Sequence, residues 1–265
     1  MQRFTKTILA PLLIILVSAL VGYLVLNGFD DRYIINNKKD LDKVTKLAMK
    51  GNIEAQYSLG NFYTNYNDQI NQDEAFKWYK MAAEQDHIEA QKQMAYIYEQ
   101  KWHYEYNKSE PNRDYLFQAR DWMKKVSDEG DVDALAWLGQ LYLDEFKNNE
   151  YGLKLIYQAA MKNDSWSQFK IGRYFSDDKS IYPHYSDVVD FPMSAEWYLK
   201  AATHEDCTSN DILDFCTTAF MDLARYYNKG LGVRQNLEQA KEWAGKACDH
   251  GEQNGCNLFT KINKN

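Results

Sequence analysis

From residue 38 onward the apolar positions of this chain recur at helical spacing, not at the alternation of a strand. One pattern returns five times: Gly60 with Tyr63, Ala95 with Tyr98, Gly139 with Tyr142, Gly172 with Phe175, and Ala224 with Tyr227. Each small residue follows a large apolar one, and five positions before it stands another small side chain: Ala55, Ala90, Ala134, Ser167 or Ala219. A second pattern alternates with the first, centred on Trp78, Trp122, Leu155, Trp197 and Trp243. Each of these lies three positions after one small residue and shortly before a pair of them. From Trp78, Trp122 and Leu155 to the next small residue of the first pattern is 17 positions each time. Spacings of three, four and five put such residues on one stripe of an α-helix. A very small residue lets a second helix come close, and the aromatic one turn away fills the space beside it. The pattern predicts helical hairpins that cannot bury their stripes alone and that stack to complete a core. An all-α chain follows, with most of its aromatics in the interior.

Residues 1–29 read as a separate object. Residues 8–26 form a run of 19 without a charge. As a helix this run would be about 28 Å long, close to the hydrocarbon thickness of a bilayer. Arg3 and Lys6 precede it, and Asp30 and Asp31 follow. Positive charge stays on the cytoplasmic side, so this order predicts an N-terminus inside and an exported remainder. A cleaved signal peptide is the competing reading. It calls for a shorter apolar core and a small-x-small site, whereas this run ends Leu24-Val25-Leu26-Asn27-Gly28. The expectation is an uncleaved single-pass anchor in a bacterial inner membrane (1–29), a linker (30–37) and a periplasmic domain (38–265).

Composition narrows the function classes. The chain is 45% hydrophobic and 26% charged, which suits a folded domain. Only 4 Pro and 13 Gly supply the punctuation that many-stranded folds need. The net charge of −7 is spread along the sequence and argues against a nucleic-acid partner, since phosphate binding needs concentrated Lys and Arg. No nucleophile elbow, phosphate loop, zinc-protease helix or dinucleotide fingerprint is present. The five histidines, His87, His103, His184, His204 and His250, are dispersed. The expectation is a chain that is not an enzyme and holds no cofactor.

The repeated units resemble Sel1-like repeats, relatives of the tetratricopeptide repeats. Residues 219–248 carry the resemblance best, with the aromatic-x-x-Gly-x-Gly-Val turn at Tyr227, Gly230, Gly232 and Val233. The resemblance covers about residues 38–263 and implies a right-handed α/α solenoid of about five hairpins. The units fall near 54–86, 88–130, 132–163, 165–205 and 215–250. A leading half-unit (Leu41, Val44, Leu47, Ala48) and a capping helix over 253–263 close the ends. Departures from the family turn are long. Residues 100–113 and 176–192 lengthen two of the turns, and ten further residues enter between Trp197 and Ala224. Trp102, Tyr104 and Tyr106 in the first stretch, and Tyr182, His184, Tyr185 and Phe191 in the second, are the candidate partner-binding anchors, aromatic as interface hot spots are. The alternative, that these side chains fold back on neighbouring units, stays open.

All four cysteines lie near the C-terminus, as Cys207, Cys216, Cys248 and Cys256. The Cys248-x7-Cys256 spacing is similar to that of the cysteine-rich secreted branch of the family, where such a pair staples a helix to its successor. Cys207 and Cys216 bracket the third insertion, where a bridge would pin the loop. An even count in an exported domain favours disulfides. Metal ligation by these cysteines with His204 and His250 is the competing reading, at a spacing unlike a zinc ribbon. The resemblance further implies a protein partner, with immunity proteins against type VI phospholipase-like effectors as the specific case. The alternatives are an envelope regulator or assembly factor acting through its anchor and, further off, a hydrolase of the cysteine-rich branch. Oligomeric state is not legible in the sequence.

Overall fold

The computed structural model describes residues 33–65, 71–106, 108, 111–177, 189–207 and 214–264. Among these residues the chain forms twelve α-helices and no strand. They are α1 (Lys38–Ala48), α2 (Ile53–Asn65), α3 (Gln72–Ala83), α4 (Ile88–Tyr106), α5 (Asp114–Asp128) and α6 (Val132–Asp144). There follow α7 (Asn149–Met161), α8 (Ser165–Tyr174), α9 (Phe191–Thr203), α10 (Asp214–Lys229), α11 (Leu237–Asp249) and α12 (Gln253–Asn263). The membrane helix expected over residues 8–26 lies outside the described residues. Among the described residues no helix is long and apolar enough to cross a membrane.

The chain divides into two compact units, one ending at Ala90 and the other beginning at Gln91. In the first, Val44 and Ala48 of α1, Ala55 and Leu59 of α2 and Trp78 of α3 form the core. The α2–α3 hairpin closes at Gly60. A Cβ placed there would lie 2.4 Å from Cδ1 of Tyr79, so the ring rests on the bare backbone. The Tyr79 hydroxyl, on the far side of that contact, donates to Asn61 Oδ1 at 2.8 Å.

The second unit repeats this arrangement. Gly172 of α8 faces the Tyr198 ring of α9, with a Cβ-to-ring distance of 2.7 Å, and Gly139 of α6 faces Ile156 of α7 at the same distance. In these three hairpins the closing residue is thus the one after the repeated Trp or Leu. The Trp or Leu itself turns to the helices before its own hairpin. Trp197 clusters with Leu143, Ile156 and Ala160, and Leu155 with Ala95, Met123 and Val126. Trp78 does the same with Val44 and Ala48 in the first unit. Two adjacent positions therefore divide the packing, one sealing the hairpin and one stacking it. The other repeat positions, Tyr63, Tyr98, Trp122, Tyr142, Phe175, Ala224, Tyr227 and Trp243, are all buried or half-buried.

One turn recurs between consecutive helices. Gly51, Asp86, Gly130, Asn163 and Gly251 each hold a positive φ, of 88°, 62°, 99°, 71° and 86°. The next residue's N–H reaches back to a carbonyl of the finished helix: Asn52 to Leu47, His87 to Ala82, Asp131 to Val126, Asp164 to Ala159 and Glu252 to Ala247. That is a Schellman closure, which satisfies the helix's last carbonyls. The same residues then cap the next helix through their side chains: Asn52 accepts from Ala55 N–H, His87 Nδ1 from Ala90, Asp131 from Ala134, Asp164 from Ser167 and Glu252 from Asn254. Buried glutamines assist the closure. Gln56 and Gln168 donate their amides to the carbonyls of Ala48 and Ala160, at 3.0 and 3.4 Å.

The first long departure is not the lengthened turn that the sequence predicts over 100–113. Instead α4 continues to Tyr106 as a helix of 19 residues. Residues 94–106 contain neither Gly nor Pro, and Tyr98, Trp102 and Tyr106 recur every fourth position, so one face can stay packed. Of the second departure, residues 178–188 lie outside the described residues. Asp190 caps α9 by accepting from the Met193 N–H at 3.0 Å, and Pro192 sits in the first turn, where no backbone donor is needed.

Candidate functional site

The α4 extension separates the first three predicted anchors. Trp102 is 3% exposed, in a cluster with Leu116 and Leu141, and its indole N–H donates to Glu145 at 3.0 Å. It belongs to the interior and leaves the candidate surface, because its i,i+4 relation to Tyr98 puts it on the packed face of the helix. Tyr104 and Tyr106 remain outside, 77% and 59% exposed. Tyr106 meets the edge of the Trp102 ring at 5.6 Å, and Lys108 lies 4.8 Å from the centre of the Tyr104 ring. Tyr96, 56% exposed, stands two turns earlier on the same outward side as Tyr104 and was not singled out by the sequence. Tyr182, His184 and Tyr185 lie outside the described residues. Phe191 is half-buried, packed edge-on against Tyr226 at 5.5 Å, with its backbone seated against Gly232. The structure does not bring the two anchor groups together among the described residues.

The first helices of the hairpins in the second unit carry a polar stripe on their outer side. It runs Asp133, Trp137, Gln140, Asp144 on α6 and Trp166, Lys170, Arg173, Asp177 on and just beyond α8, always at steps of four, three and four. On α10 the same steps give Thr218, Asp222, Arg225 and Lys229. Side chains link one stripe to the next. Glu99 of α4 accepts from the Trp137 indole, and burial raises the Glu99 carboxyl above its usual range. Arg225 grips Asp177 with two hydrogen bonds of 3.0 and 2.8 Å and has Asp222 at 3.4 Å, which holds the guanidinium firmly protonated. Beneath this pair, burial raises the phenols of Tyr198 and Tyr226, the latter to about 12. Tyr226 shares a 2.9 Å hydrogen bond with Ser194, whose hydroxyl also donates to the Gly172 carbonyl at 2.7 Å. Lys170 is different: burial lowers its pKa, with Asp144 opposing and Arg173 adding to the shift.

Catalytic and metal geometry can be followed residue by residue. Ser165 donates to Asp206, and His204 Nδ1 lies 3.0 Å from the same carboxylate oxygen. The acid stands between the serine and the histidine, so the imidazole does not address the hydroxyl, and the cluster ties the turn after α9 to the start of α8. Cys207 is bonded to Cys216 and Cys248 to Cys256, and no free thiol remains. The thiolates that metal ligation with His204 and His250 requires are therefore consumed. Among the described residues no three His, Cys, Asp or Glu side chains gather as a metal site.

Comparison with known proteins places these hairpins. The Sel1 repeat family matches residues 53–87, 132–164, 185–206 and 221–252. The stretch left unmatched between the first two includes the extended α4. No curated protein sequence matches the chain. Among solved structures, c5321, a protective antigen of uropathogenic Escherichia coli strains with an SLR fold, aligns with a TM-score of 0.60 and 23% identity, over 87% of this chain and 46% of that one. A Sel1 repeat protein from Oxalobacter formigenes aligns with a TM-score of 0.61 and 21% identity, over 84% of this chain and 60% of that one. This chain thus spans about half the length of the first and three-fifths of the second. The immunity protein Pa5087 of Pseudomonas aeruginosa aligns with a TM-score of 0.41 and 18% identity, over 84% of this chain and 74% of that one, a likeness too loose to bear on function. With four matched repeats on the same helical hairpins, the chain is a Sel1 repeat protein.

Proposed function

We propose that this chain is a protein-binding scaffold, held on the periplasmic side of a bacterial inner membrane by residues 8–26. Its specific role in this reading is that of an immunity protein, which captures and neutralises a phospholipase-like effector delivered by type VI secretion. The observation that carries the binding role is Tyr104, 77% exposed beside Tyr106 on a helix that runs past the regular repeat length. Water-exposed aromatics on a rigid helix are anchors of the kind that dominate protein interfaces. Two disulfides support an oxidising compartment.

Co-expression with a lipase-like effector encoded beside it tests the reading. Protection of the host cell and a co-purifying complex are expected, both weakened at least tenfold by Tyr104→Ala with Tyr106→Ala at unchanged helicity. Neither protection nor complex would end it. A second reading, an envelope regulator or assembly factor acting through its anchor, is favoured by the uncharged run over 8–26. Replacing residues 1–29 with a cleavable export signal separates the two, since an effector-neutralising scaffold keeps its activity when released and a regulator working on membrane neighbours loses it.

A further inference from the structure

The polar stripe of the second unit is closed by charge pairing on one side of α8 and open on the other. Towards α10, Asp177 and Asp222 both engage Arg225. Towards α6, Asp144 accepts a hydrogen bond from Gln140 of its own helix at 2.6 Å. Lys170 stands between. Its amine lies 4.7 Å from the centre of the Trp166 ring, one turn earlier on α8. Among the described residues it has neither a hydrogen-bond acceptor nor an ion-pair partner. A half-buried ammonium has lost much of its hydration and gains only a cation–π contact in return. Burial lowers its pKa.

We propose that Lys170 receives a carboxylate from an acidic segment of a partner protein, laid across the face of α8 with Trp166 as its floor. The inference rests on the scaffold reading and gives the partner's chemistry. Charge complementarity selects a peptide over a polyanion. Asp144 acts on the amine and the chain carries a net charge of −7, so a phosphate run with a charge at every link is repelled more strongly than carboxylates spaced along a peptide. A charge-assisted hydrogen bond in this partly dry setting is stronger than at an open surface.

The test uses the full chain, disulfides intact, and a fluorescein-labelled decapeptide of alternating Glu and Leu, followed by fluorescence anisotropy at low salt. The parent and Lys170→Arg are expected to bind, and Lys170→Met to bind at least tenfold more weakly. The same peptide with Gln for Glu is expected not to bind. Lys170→Met should melt no lower than the parent at pH 7, because it removes a charge that the fold does not pair. That difference should narrow as pH rises towards the ordinary lysine value of 10.5, where the parent's amine becomes neutral in both states. If Lys170→Met melts lower, Lys170→Gln, which keeps a polar tip, decides binding in its place. Undiminished peptide binding by the neutral variants, equal binding of the Gln peptide, or displacement by polyphosphate at matched charge would overturn the assignment. Capture of an effector unaffected by Lys170→Met removes this inference and leaves the scaffold standing. Peptide binding without any captured effector does the reverse.

Discussion

Trp78 and Tyr79 are neighbours in sequence with different tasks. Trp78 joins α3 to the core of α1 and α2, whereas Tyr79 lies on Gly60 and closes the hairpin. A methyl group at Gly60 would need the ring to move, and the ring is held at its hydroxyl by Asn61. Gly60→Ala should therefore cost about 2–3 kcal/mol in urea unfolding, the range of an overpacked core. The cost is expected to disappear in a Tyr79→Ala background, where the double variant is no less stable than Tyr79→Ala alone. A penalty that persists without the ring would mean that backbone conformation, not the close contact, fixes the glycine. The periodicity made Gly60 legible and not its occupant. Reading a helical stripe one position out of phase changes the facing residue by 100°, and one helix's pattern does not say which of two adjacent bulky residues meets the other helix. The buried glutamines escaped for a related reason. Their value lies in reaching the last carbonyl of the previous helix, a partner that spacing does not reveal.

Among the elements, the turns carry the repeat as firmly as the helices do. Gly130 adopts φ 99° with open space where a Cβ would point, so a substitution there is charged only with the left-handed backbone. Gly130→Ala should cost about 1–2 kcal/mol. Gly130→Asn should cost less than half as much, as Asn163 holds the equivalent place at φ 71°. Equal losses for both, measured in the same unfolding series, would show that some other contact holds this turn. The alternation of small and bulky residues made the helices legible. The family's turn predicts a break where the repeat length runs out, yet α4 continues to Tyr106. The local composition over 94–106 already lacked a breaker, and that physical signal is the better guide to where a helix stops. A turn over 100–113 would leave Trp102 at the surface, whereas on a continuous helix its spacing from Tyr98 turns it inward.

At the scale of the larger unit, stacking gives each helix from α6 to α11 a neighbour on either side, and the last helix lacks one. The last helix, α12, has a single buried residue, Gly255, set against Ala247 and Ala244, with Leu258 and Phe259 partly buried on the adjoining core. The Cys248–Cys256 bridge joins it to α11 across a sequence separation of 8. A ring this small removes roughly 2.5 kcal/mol of chain entropy from the unfolded state, a large share of the 5–15 kcal/mol typical of a whole domain. Spacing alone left metal ligation open, because the sequence does not say which sulfurs meet; the turn at Gly251 brings these two together. Cys248→Ser with Cys256→Ser should therefore lower stability by about 2–3 kcal/mol and release α12 first, seen as faster amide exchange over 253–263. Removing Cys207 and Cys216 should lower stability by a similar amount while leaving α12 protected, because that bridge spans the insertion before α10. If both pairs of substitutions expose α12 equally, the end of the stack unfolds as one cooperative body and the bridge is not what holds its last helix.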